Sequence, residues 1–68
     1  MGFDEFMGDL KSGGILKRAN AAAALGKLGD RRAAKDLIKA LEDHSASVRN
    51  NAAFALAELD AKEAIPHL

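Results

Sequence analysis

Apolar residues recur along this chain at helical spacing. Phe3, Phe6, Met7 and Leu10 stand at i, i+3, i+4 and i+7, with Asp4, Glu5 and Asp9 on the other faces. That stripe predicts an amphipathic helix over Gly2 to Lys11. Ser12-Gly13-Gly14 ends it. A second helix is predicted over Ile15 to Leu28, with Ala21, Ala24, Leu25 and Leu28 facing inward. Gly29 is its left-handed terminator and Asp30 the cap of the next helix. The third helix, Arg31 to Glu42, is expected to bury Ala34, Leu37, Ile38 and Leu41. Asp43-His44 forms a turn, with Ser45 as N-cap of a fourth helix over Ala46 to Leu59. That helix is expected to bury Val48, Ala52, Ala55, Leu56 and Leu59. Beyond it, Asp60 and Glu63 have capping-box spacing, and Pro66 disfavours helical angles at Ile65. Asp60 to Ile65 is therefore expected to turn, with a last helix starting at Pro66.

The pattern repeats. Sliding the sequence by 31 residues lays Arg18 on Arg49 and Asn20 on Asn51. It also lays Ala21, Ala22, Ala24, Leu25 and Leu28 on Ala52, Ala53, Ala55, Leu56 and Leu59. Phe6, Met7 and Leu10 fall on Leu37, Ile38 and Leu41. A period of this length in helical elements is the mark of an α-solenoid, in which antiparallel helix pairs stack. The fold class expected is all-α. Residues 1–12 form the second helix of an incomplete repeat, 13–43 a full repeat, and 44–68 a second repeat cut short in its second helix. Such a stack leaves Ile65 and Leu68 without a polar cap. The expectation is that more chain, or a second copy through self-association, covers them.

Composition narrows the picture. Apolar types are about half of the 68 residues, but fifteen of them are alanines, which favour helix and bury little area. A chain this short normally relies on a staple, metal or partner. It has no cysteine, hence no disulfide and no thiolate metal site. There is no run long enough to span a membrane and no signal peptide, so a cytoplasmic protein is expected. Zero formal charge argues against a strongly electrostatic binder of nucleic acid or membrane.

The stretches VRNNAAFAL (48–56), ALGKLGD (24–30) and DRRAAKDLIKALED (30–43) resemble the HEAT-like repeats named after the phycobilisome lyases. Their pattern reads roughly VRxxAAxALGxLGDxRAxxxLIxALxD. The resemblance covers nearly the whole chain, twice in frame. It implies a right-handed solenoid whose second helices line the concave side. Proteins of this type serve as scaffolds, adaptors, chromophore-lyase subunits or metal-dependent hydroxylases. The resemblance also implies a ladder between repeats made by an Asp and an Arg six residues apart. Asp43 and Arg49 match it; Ser12 and Arg18 match only the Arg. Lys17 stands where Val48 stands, Gly13-Gly14 replaces the capped turn, Arg31 and Lys35 replace prolines, and Asp60 stands where Gly29 does.

Candidate chemistry is thin. His44 and His67 lack metal-ligand spacing. Ser45 and Ser47 have no nucleophile setting, and Gly13-Gly14 is no phosphate loop. No catalytic, cofactor or metal residue is assigned. Arg31, Lys35 and Lys39 form a basic stripe, and Lys17 to Lys39 holds seven basic against two acidic residues. Acidic neighbours on the stacked helix, Asp4 facing Lys35 and Glu5 facing Asp36, are expected to neutralise it. Arg49 is expected to bind Asp43 or a turn carbonyl through its guanidinium fork, and Arg18 to play the same part with fewer partners. Phe54 fills a groove between repeats or anchors another protein. The function expected is a non-catalytic scaffold that binds a protein through Asp4, Glu5, Arg32, Lys35, Asp36 and Lys39. The alternatives are a lyase- or hydroxylase-related subunit, and a weak binder of nucleic acid or another acidic partner.

Overall fold

The computed structural model describes residues 2–64. Four α-helices run as α1 (Phe3–Ser12), α2 (Ile15–Leu28), α3 (Ala34–Ala40) and α4 (Ala46–Ala64), with a 3-10 turn over Arg31–Ala33. The described residues contain no strand. α2 and α4 pack most extensively, α1 lies on α2, and α3 lies on α4. α1 and α3 therefore form one layer and α2 and α4 the other. This is the all-α solenoid arrangement that the repeat demanded.

Small residues set the spacing of the α2–α4 layer. Ala21, Ala22, Ala52 and Ala55 are buried, as is Gly26. A Cβ on Gly26 would lie 2.6 Å from the Ala55 Cα, so only glycine allows this approach. The close contact replaces bulk: dispersion between nearby backbones offsets the small area each alanine buries. Among the described residues the largest side chains fully out of water are Leu25, Leu37 and Val48. At about 1.5–3 kcal/mol each they make a slender core. Leu10 and Leu59 close its ends, and Phe3, Phe6, Met7 and Leu56 pack against it half-buried.

Helix ends follow local chemistry. Glu5 Oε1 accepts from the Gly2 N–H at 3.0 Å, reaching back to the start of α1. Gly29 ends α2 with φ 71°, its N–H shared between the Leu25 and Gly26 carbonyls. Asp30 accepts from the Arg32 N–H at 3.0 Å and caps the next element as expected. That element begins as the 3-10 turn, and regular α-helix stops at Ala40, so the expected Arg31 to Glu42 helix is shorter at both ends.

Three further expectations need correction. Ile38, Leu41 and Leu28 were to be buried; they are 56, 38 and 49% exposed. Each sits on a flank that no described helix covers, and periodicity alone cannot tell a covered flank from a bare one. In their place Ala33 and Ala40 are buried. α4 does not break at Asp60 but continues to Ala64, because no glycine stands there to take the left-handed conformation that stops α2. The Ser45 hydroxyl caps nothing among the described residues; Asp43 Oδ1 instead accepts from the Ser45 N–H at 2.9 Å. The helix expected from Pro66, and the ends Ile65 and Leu68, lie outside the described residues.

Candidate interaction groove

The turns between the layers are held by two arginines. Arg18, on the first turns of α2, donates from Nε and Nη2 to the two carboxylate oxygens of Asp43 at 3.0 and 3.1 Å. Its Nη1 donates to the Gly13 carbonyl at 2.9 Å. One guanidinium thus joins the turn before α2 to the turn before α4. The pair is mostly out of solvent, with side-chain exposures of 23 and 17%. The Arg18 hydrogen bonds, then the Ser45 N–H, hold the Asp43 carboxyl below its ordinary value.

Here the expectation that Asp43 pairs with Arg49 is corrected. Arg49 donates from Nη1 to the carbonyls of Asp43 and His44 at 2.7 and 3.1 Å, the turn-carbonyl option, and makes no bond to the Asp43 carboxylate. The arginine expected to have fewer partners, Arg18, has the stronger set. The reason is geometric. α2 lies alongside α4, so the carboxylate before α4 faces the arginine one repeat earlier.

Beside this clasp an open groove of about 660 Å³ runs between α1 and α3. Leu10 and Ala40 form its apolar floor. Lys11 and Asp36 face each other across it, Nζ to Oδ2 3.6 Å. Arg18 and Asp43 close one end, with Lys39 and His44 at the rim. Both Lys39 and His44 are exposed, and Lys39 has no ion partner among the described residues.

The six residues expected to meet a partner are divided by the structure. Asp36 and Lys39 line the groove. At the other end of the layer, Arg32 pairs with Asp30, Nη2 to Oδ2 2.6 Å, and its guanidinium carbon lies 4.3 Å from the centre of the Phe3 ring. Asp30 chiefly, and Asp4 more weakly, raise the Arg32 pKa, while Arg32 lowers that of Asp30. Glu5 is tied to its own helix start, and Lys35 is exposed. The pairing expected between Asp4 and Lys35 does not form; the ion pair between α1 and α3 is Lys11 with Asp36. Sequence reasoning missed Lys11, Arg18, Asp43 and His44 as groove residues. The available signal was the interval of 25 residues from Arg18 to Asp43, six short of the repeat, which places an arginine beside the next repeat's turn.

Phe54 is 72% exposed and fills no groove among the described residues. Among those residues no three His, Cys, Asp or Glu side chains converge on a metal position. No helix there is long and apolar enough to cross a membrane.

A family described as HEAT repeats matches residues 10–68, and the two-layer stack of helices is what that description requires. The chain belongs to the HEAT-repeat family. It is also similar to a phycocyanobilin lyase subunit alpha from Picosynechococcus sp., 48% identical over 56 residues, which cover 82% of this chain and 21% of the relative. The chain thus spans about a fifth of the length of that curated relative.

Proposed function

We propose that this HEAT-repeat chain is a non-catalytic scaffold or adaptor that binds another protein in the groove between α1 and α3, its second helices and concave side. Its units are residues 1–12, 13–43 and 44–68, and its cysteine-free composition suits the cytoplasm. One observation carries the reading. Lys11 with Asp36 and Arg18 with Asp43 are already paired across the groove, while Lys39 on its rim has no ion partner among the described residues. Such a surface favours a partner segment that brings an apolar side chain for the Leu10–Ala40 floor and a carboxylate for Lys39. Asp4, Glu5, Arg32 and Lys35 extend the contact along the same layer.

Titration of the labelled chain with a glutamate-rich decapeptide, followed by amide chemical shifts, tests it. The expected result is salt-sensitive shifts at Lys11, Lys39 and His44 that Lys39→Glu removes and that a lysine-rich peptide does not cause. Shifts spread evenly over the surface reject the groove. Retention on heparin at physiological salt, lost in the same variant, would transfer the groove to nucleic acid.

The 48% identity to a lyase subunit favours a second reading, a structural part of a chromophore-lyase assembly. A visible absorption band that shifts when phycocyanobilin is mixed with the chain supports it; an unchanged spectrum counts against it.

A further inference from the structure

We propose that the groove between α1 and α3 reads the C-terminus of its partner: Lys39 and His44 hold the free α-carboxylate, and the Leu10–Ala40 floor takes the last side chain. This rests on the groove being the scaffold's partner site and names what enters it. All of the lining lies between Leu10 and His44, with α1 backed by α2 and α3 by α4. The shape favours a chain end over a continuous segment. Arg18 and Asp43 close one end of the groove, and the Arg18 guanidinium is fully engaged there, with Nε and Nη2 on Asp43 and Nη1 on the Gly13 carbonyl. A strand or helix laid along the groove would have to break that clasp to pass. A chain that stops there does not.

The floor is equally short. Leu10 and Ala40 are themselves buried, 6 and 9% exposed, so what they offer a ligand is a patch for one apolar side chain. An amphipathic helix docks through anchors at i, i+3, i+4 and i+7, and this floor supplies a place for one of them. A volume of about 660 Å³ falls within the roughly 300–1,000 Å³ of small-ligand sites, room for the final few residues of a chain.

Charge then selects which end of a chain. Lys11 is paired with Asp36 and Arg18 with Asp43, so neither carboxylate is free to hold an N-terminal ammonium. Lys39 has no ion partner among the described residues. Lys11, Arg18 and Lys39 against Asp36 and Asp43 leave one surplus positive charge in the lining, the complement of one carboxylate. A carboxylate has two oxygens, and a second donor lines the same groove. The His44 ring makes no hydrogen bond among the described residues. It adds, after Arg18 and the Ser45 N–H, to the lowering of the Asp43 carboxyl, which sets the ring by the closed end. Lys39 supplies charge and a rotatable ammonium; His44 supplies a ring N–H. A glutamate side chain can meet Lys39 as well, but its backbone must continue past the clasp, and the terminal carboxylate needs no way out.

The test uses the full chain and the glutamate-rich decapeptide, ending in leucine, prepared once as the free acid and once as the C-terminal amide. The side-chain carboxylates are the same in both, and the terminal one alone differs. The free acid is expected to bind at least about tenfold more tightly than the amide, with backbone chemical shifts centred on Leu10, Lys39, Ala40 and His44. Acetylated Gly-Ser-Gly-Ser-Ala-Leu, whose sole carboxylate is terminal, should shift the same residues, and its amide should not. Lys39→Gln should bring the free acid down to the affinity of the amide and leave the amide unchanged, and Lys39→Arg should restore the difference. His44→Phe should weaken the free acid about threefold and His44→Asn less. Both side chains are exposed, and the backbone spectrum confirms that the variants are folded. Equal binding of acid and amide in the groove overturns the proposal and leaves the scaffold reading standing. A preference for the acid that survives Lys39→Gln overturns the assignment of the carboxylate to Lys39. Absence of groove shifts with either decapeptide overturns the scaffold reading and the proposal with it.

Discussion

Equivalent sides of α2 and α4 carry corresponding residues at two levels of completion. On α2, the face of Ala19, Ala22 and Gly26 is closed by the next helix; on α4, Asn50, Ala53 and Ala57 stand in water. The difference teaches that in a repeat a residue's energetic role belongs to its neighbour as much as to itself. Equivalent substitutions in the two copies should therefore have unequal effects.

The largest contrast is expected at the leucines. Leu25→Ala empties a fully buried site and should cost about 2–5 kcal/mol, enough to unfold much of so small a domain. Leu56→Ala, at the half-buried counterpart, should cost roughly 1 kcal/mol. Urea unfolding of both variants measures the gap, and equal costs would break the comparison. Next comes the close approach. Gly26→Ala forces α2 away from Ala55 and should destabilise by about 1–2 kcal/mol despite alanine's better helix propensity. Ala57→Gly has nothing to relieve and should lose only about 1 kcal/mol of propensity.

The arginines sharpen the comparison further. Arg18→Ala strands the Asp43 carboxylate and the Gly13 carbonyl, and should lower Tm by roughly 5–10 °C. Arg49→Ala loses two bonds to carbonyls of its own turn and should lower Tm by no more than about 3 °C. The smallest effect is expected from acid. The Asp43 carboxyl is lowered in the folded chain, so its contribution is complete well above its ordinary 3.8 and disappears as pH falls through the lower folded value. The Tm difference between wild type and Asp43→Asn should be constant from neutrality to about pH 5 and shrink below about pH 4. A difference that persists into strong acid would detach the carboxylate from the clasp.

How much of this was legible in the sequence follows the same line. The stripe Phe3, Phe6, Met7, Leu10 and the terminator Gly29 declare α1 and the end of α2 from local chemistry alone, and the 31-residue shift supplies the stack. Ile38 and Leu41 match the same stripe yet lie exposed, because period marks the face that would be buried and is silent about whether a helix covers it. Asp60 and Glu63 have the spacing of a cap, but spacing alone does not stop a helix; α2 stops at Gly29 with φ 71°, and Asp60 is not a glycine. For the site, Asp36 and Lys39 were named from their outward positions. Lys11 and His44 were not, and Arg18 and Asp43 were named only as ties between repeats, because the groove is made where two repeats meet and no single repeat's pattern contains it.

The Arg18 clasp has a kinetic consequence. A single side chain holds the loop at Gly13 and the loop at Asp43, so neither loop can open without releasing the other. Slow amides in the two segments should therefore exchange at one shared rate, and a protease should find them both closed or both cleavable.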